Sequence, residues 1–160
     1  MSDELPDHAD EDLRRRGLET MSKVYGWDLE DGPGDFFRYT ADHLFADIWN
    51  RPGLSIRDRR LLLIGILAGT QSIDVLGLQV PAAHGNGELD DEALREIVIF
   101  VSHYAGWPMG ARLHTLIEKT IGKAHREAQR QAEAQHQAEA AQNSGAAQNS
   151  GAVQNSGAAQ

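Results

Sequence analysis

The run Leu61-Leu62-Leu63-Ile64-Gly65-Ile66-Leu67-Ala68-Gly69 presents no polar face, so the rest of the chain must fold around it. Ahead of it, Pro52-Gly53 cannot continue a helix, and Ser55 with Asp58 three residues later forms a capping pattern. The spacing predicts a buried central helix. Membrane spans need about 20 apolar residues, and this run is far shorter. No alternating strand pattern competes anywhere in the sequence.

Composition narrows the classes. The chain has 160 residues and a formal net charge of -9. Nucleic acid and anionic membrane surfaces would be repelled by that charge, which leaves small molecules and further copies of the chain as partners. There is no cysteine, so disulfides, thiolate metal sites and thiol chemistry are excluded. The histidines lack metal-ligand spacing such as His-x-x-x-His, and no metal is expected. The acidic N-terminus lacks the apolar stretch of a signal peptide, which predicts a cytoplasmic protein.

In chain order, residues 1–11 read as a disordered acidic N-terminus and residues 12–124 as one helical domain. Leu13, Gly17, Leu18, Met21, Val24 and Tyr25 share one face of a first helix ending at Gly26. Trp27 to Gly34 is loop chemistry. Asp35 is placed to cap a second helix whose stripe is Phe37, Thr40, Ala41, Leu44 and Ile48, flanked by Phe36 and Phe45. After the central helix, Ser72 is placed to cap a helix over about Ile73 to His84, with Pro81 expected to kink it. Asp90 caps the next, which carries Leu94, Ile97, Val98, Val101 and Tyr104 on its buried face, with Leu89 and Leu94 forming a staple. A last helix follows Gly106-Trp107-Pro108 and buries Leu113, Leu116, Ile117, Thr120, Ile121 and Ala124. Residues 125–141 read as a solvated helical extension, and 142–160 as a disordered tail built on the repeat Gln-Asn-Ser-Gly-Ala-Ala/Val, dispensable to the fold. The expected fold is an all-α single-domain bundle of five to six helices.

Trp49-x-Arg51-Pro52-Gly53-Leu54, the block Ala82-Ala83-His84-Gly85-Asn86-Gly87-Glu88-Leu89, and Tyr104-Ala105-Gly106-Trp107-Pro108 occur in this order and spacing. The chain thereby resembles the carboxymuconolactone decarboxylase family from about Arg16 to Ile121. The resemblance implies an all-α homo-oligomer, a trimer or a hexamer built from trimers, with active sites near subunit contacts. One branch of that family is a peroxidase using Cys-x-x-Cys; without cysteine this chain cannot run that reaction. The other branch removes carbon dioxide from 4-carboxymuconolactone in aromatic-acid breakdown, without metal or cofactor. A small-molecule carboxylate is then the expected partner. Two alternatives are another acid–base enzyme, a hydrolase or isomerase on the same fold, and a non-catalytic oligomeric binding protein.

Loss of carbon dioxide sends electrons into a conjugated carbonyl, so the site needs a donor at that oxygen and an acid for carbon. Gln79 stands where the resemblance places a histidine; it can donate to an oxyanion but cannot shuttle a proton. His103, Tyr104 and Asp74 complete the catalytic candidates, and Arg51, His43 and Trp49 the substrate-binding ones. Each has a plainer role. Arg51 can pair with Asp47, Asp74 can serve the helix dipole, and the two histidines can be hydrogen-bonded structural residues. His84, before a glycine, should be exposed. Trp49, Phe45 and Trp107 are core or interface aromatics, and as interface anchors they would cover apolar surface between subunits. Arg59 and Arg60, in a helix's first turn against its dipole, need acidic partners within the protein or across a subunit contact.

Overall fold

The computed structural model describes residues 8–154, and the side chains of residues 11–138. In order, the helices are α1 (His8–Tyr25), α2 (Asp35–Arg38), a π-helical segment (Tyr39–Phe45), a 3-10 turn (Ile48–Asn50), α3 (Ile56–Gly69), α4 (Ile73–Gly85), α5 (Asp91–Ala105) and α6 (Trp107–Gln154). Among the described residues there is no strand, and the all-α architecture is the expected one. Two compact units divide the chain, Met1–Ile121 and Gly122–Gln160.

Local chemistry sets several boundaries. Ser55 accepts from the Asp58 N–H at 3.1 Å while the Asp58 carboxylate accepts from the Ser55 N–H at 3.2 Å, so both halves of the capping box close on α3. The Ser55 hydroxyl, then its backbone N–H, hold the Asp58 carboxyl below its ordinary range. This contribution is present above the ordinary carboxylate range and is lost as pH falls through the lowered value. Asp90 caps α5 by accepting from the Ala93 N–H at 2.8 Å, and Leu89 and Leu94 are both buried. Two expected caps are absent. Gly34, at φ 90°, holds the N-cap position of α2 with Asp35 inside the helix, and Ser72 makes no capping bond to α4. Its hydroxyl lies instead 3.0 Å from that of Thr70. The helix α4 passes through Pro81, whose missing N–H faces the carbonyl of a glycine, Gly77, four residues earlier.

In the second unit, α6 extends to Gln154, beyond the Gln142 expected for the alanine–glutamine segment. Its described side chains from 125 to 138 are exposed, with local pairs such as Gln129 to Glu133 at 3.0 Å. The side chains of the six-residue repeat, and residues 1–7 and 155–160, lie outside the described residues.

The first unit has two apolar clusters. One joins α3, α4, α5 and α6 through residues such as Ile64, Leu76, Val80, Leu94, Leu113 and Ile117. The other joins α1 to the π-helical segment through Met21, Val24, Ala41, Phe45 and Trp49. The predicted stripe of Ala41, Leu44 and Ile48 is corrected here: Phe45 and Trp49 are buried, whereas Leu44 and Ile48 are 40% and 37% exposed. A π-turn takes in one extra residue, and the bond from the Ala46 N–H to the Ala41 carbonyl, 2.9 Å, closes such a five-residue step. The stripe therefore advances as 41, 45, 49. Asn50 supports the wide turn by donating to the Phe45 carbonyl at 2.7 Å and to Thr20 Oγ1 at 2.8 Å. Phe45 and Trp49, stacked with centroids 5.7 Å apart, are core residues and not interface anchors.

Tyr104, expected on the buried face of α5, is 81% exposed. The buried positions there are Leu94, Val101 and Ser102, which leaves Tyr104 to pair with the exposed Phe100 at 4.8 Å.

Gly17 marks a close backbone approach between α1 and the π-helical segment. A Cβ there would stand 2.6 Å from the Ala41 carbonyl carbon, and backbone cannot rotate away. Gly17→Ala is therefore expected to lose about 1–3 kcal/mol by overpacking, even though alanine is the better helix former. At Gly65 an added Cβ meets nothing within 4 Å, and Gly65→Ala should gain about 0.5–1 kcal/mol. Urea midpoints of the two variants should move in opposite directions; a shared direction would refute the packing argument.

Candidate functional site

Arg60 has no solvent exposure. It lies on the same face of α3 as Ile64 and Leu67, where an apolar side chain would be the ordinary choice, and the fold answers with partners on every side. Arg60 Nε and Nη2 donate to the two carboxylate oxygens of Glu88 at 2.9 and 3.1 Å. Nη1 donates to Gln79 Oε1, and Nη2 also to the carbonyl of Val24 at the end of α1. Trp49 closes the group, its ring centroid 5.6 Å from the guanidinium carbon. One side chain thus ties together α1, the 3-10 turn, α3, α4 and the α4–α5 turn.

Glu88 reaches this position through the turn Gly85-Asn86-Gly87. Gly87 adopts φ 69°, and the Glu88 N–H folds back onto the Ala83 carbonyl at 2.9 Å. Asn86 braces the turn against α1 by donating to the Lys23 carbonyl at 2.9 Å, and it also donates to Glu88 Oε1 at 3.2 Å. The cluster is charge-balanced, with the Arg60–Glu88 pair forming its bidentate centre. Gln79 is 3% exposed, and its amide orientation follows from that pair: Oε1 accepts from Arg60, which leaves Nε2 as the donor turned away from it.

The sequence profile of the carboxymuconolactone decarboxylase family matches residues 34–112. A 4-carboxymuconolactone decarboxylase of Acinetobacter baylyi is 32% identical over 126 residues, covering 72% of this chain and 93% of that protein. The chain belongs to the carboxymuconolactone decarboxylase family. A nitrosuccinic acid decarboxylase of Metarhizium robertsii is 35% identical over 77 residues, 48% of this chain and 53% of that protein.

Against this family membership, the structure brings together only two of the seven candidate side chains, Gln79 and Trp49, and it does so through Arg60. His103 and Tyr104 are exposed near the end of α5, His103 with Nδ1 2.7 Å from the Ile99 carbonyl. Asp74 is exposed in the first turn of α4. Arg51 and His43 are exposed too, and among the described residues Arg51 forms no ion pair with Asp47. Within the chain Arg59 donates to the carbonyls of Leu54 and Arg51, the latter at 2.6 Å. His84, expected exposed, is largely covered, with Nε2 2.8 Å from Asp91. Sequence reasoning missed Glu88 and Asn86 as partners. The available signal was Arg60 itself, a guanidinium at the head of the buried series 60, 64, 67, which demands an acid from elsewhere in the chain.

Proposed function

We propose that this chain decarboxylates a small organic acid whose carboxylate stands next to an electron-accepting group, with 4-carboxymuconolactone as the first substrate to test and no cofactor. The observation that carries the reading is the oriented Gln79 amide, buried and fixed by Arg60 so that its N–H donors have one direction. In such a reaction the carbon–carboxylate bond breaks, carbon dioxide leaves, and the electron pair moves into a carbonyl oxygen conjugated through a double bond, or into a neighbouring nitro group. A fixed donor is most useful there, because it requires no reorganisation as charge develops. Carbon then regains a proton from an acid, for which His103, Tyr104 and Asp74 are the candidates. The names of the two relatives, a lactone decarboxylase and a nitro-acid decarboxylase, share this electron-sink chemistry and support the class. The exposed positions of the three acids suit a site completed by another copy, and we infer a homo-oligomer, a trimer or hexamer.

A second reading, a binding protein that has lost catalysis, is favoured by one observation: glutamine at position 79 cannot carry a proton. Loss of the lactone's ultraviolet absorbance with purified protein separates the two. The native chain should consume lactone, and Gln79→Ala should lose about 100-fold or more in kcat, the cost of one oxyanion donor. Activity seen only in Gln79→His would establish the second reading, and activity in neither would exclude this substrate.

A further inference from the structure

The groove between α3 and α5 takes no part in the Arg60 cluster. It is an open groove of about 430 Å³, a volume typical of small-molecule sites. Leu61, Ile64, Leu89, Ile97 and Val101 form its apolar walls, and Gly65 opens it, since a Cβ there would meet nothing within 4 Å. Two opposite charges line it, Arg57 and Glu96. Arg57 donates through Nε to the Glu88 carbonyl at 3.1 Å, which aims the guanidinium and leaves its terminal nitrogens for another acceptor. Glu96 has no ion pair among the described residues. It lies in the second turn of α5 and, like Arg57, is exposed.

We propose that this groove binds a small organic acid with a flat apolar body, its carboxylate on Arg57 and a hydroxyl donating to Glu96. The walls return nothing to a fully hydrated ligand, so the body must be apolar. The guanidinium fork matches a carboxylate, and the Glu96 carboxylate rejects a second negative charge while accepting a donor. A hydroxylated aromatic acid carries both groups on an apolar body. The inference does not depend on decarboxylation, because neither Gln79 nor Arg60 lines the groove.

Calorimetric titration of the full chain with 4-hydroxyphenylacetate tests it. Saturable binding of one molecule per chain is expected. The corresponding neutral amide as ligand, or Arg57→Gln as protein, should each weaken binding by about tenfold or more. Gly65→Leu should abolish binding without lowering the melting temperature, since its side chain enters open space. Absence of saturable binding, equal affinity for the amide, or full affinity in Gly65→Leu would overturn the proposal. So would a change of assembly mass in Gly65→Leu, which would assign the groove to a second copy of the chain.

Discussion

Arg60→Met is expected to destabilise the fold by about 3–5 kcal/mol, because it leaves the Glu88 carboxylate largely buried with its main counter-charge gone. The Glu88 side chain is 10% exposed, so water cannot replace the lost donors. Native domains hold about 5–15 kcal/mol in total, and a loss of this size should be plain in a urea midpoint. Arg60→Met combined with Glu88→Leu should recover much of the loss, because a buried ion pair removed whole costs far less than one left broken. A single-variant loss below about 1 kcal/mol would show that the pair is not the tie between the two apolar clusters. The double variant also separates stability from activity: if the proposed function holds, it should fold yet lose the fixed orientation of Gln79.

The helices legible in the sequence are those whose ends are written locally. Ser55 with Asp58, and Asp90 with Leu89 and Leu94, lie within six residues of what they specify, and both starts occur where the spacing places them. The region from Asp35 to Asn50 was harder to read. Its apolar residues fit a 3.6-residue period as well as the 41, 45, 49 series, and only packing against Gly17 and the bonds of Asn50 select the wider π-turn. Tyr104 shows the same limit, since a stripe read by period alone cannot tell where a helix leaves the core.

The Arg60 cluster was half legible. That a first-turn arginine needs an acid follows from charge and dipole, and it correctly demanded a partner for Arg60. Which acid answers is a long-range matter: Glu88 is 28 residues away, in a turn with no periodicity, and its approach depends on the positive φ of Gly87. For Arg59 the acceptors within the chain are backbone carbonyls at the Pro52-Gly53 turn, which local charge reasoning does not single out. The site candidates chosen by residue chemistry alone, Asp74, His103, Tyr104, Arg51 and His43, sit exposed on the single chain.

That exposure leads to the largest expected effect on assembly. Trp107 is 72% exposed, beside His103 at 6.3 Å and near the exposed pair Phe100 and Tyr104, while Leu62 and Ile66 on α3 are 56% and 61% exposed. A folded chain seldom leaves so many large apolar side chains in water without a partner to cover them. A closed homo-oligomer buries each patch once per subunit, so one substitution acts at every contact of the ring. Light scattering coupled to size exclusion should give the native chain a mass that is a multiple of 17.6 kDa, with three or six copies expected. Trp107→Glu removes an aromatic anchor of the kind that costs about 2 kcal/mol or more per contact and places a charge there instead. It makes no buried contact in the single chain, so it should shift the mass to 17.6 kDa at micromolar concentration and leave helicity unchanged. An unchanged mass would move the interface to the Leu62 and Ile66 face, where Ile66→Glu repeats the test. A native chain that is already monomeric would remove the idea of a site completed by a neighbouring copy.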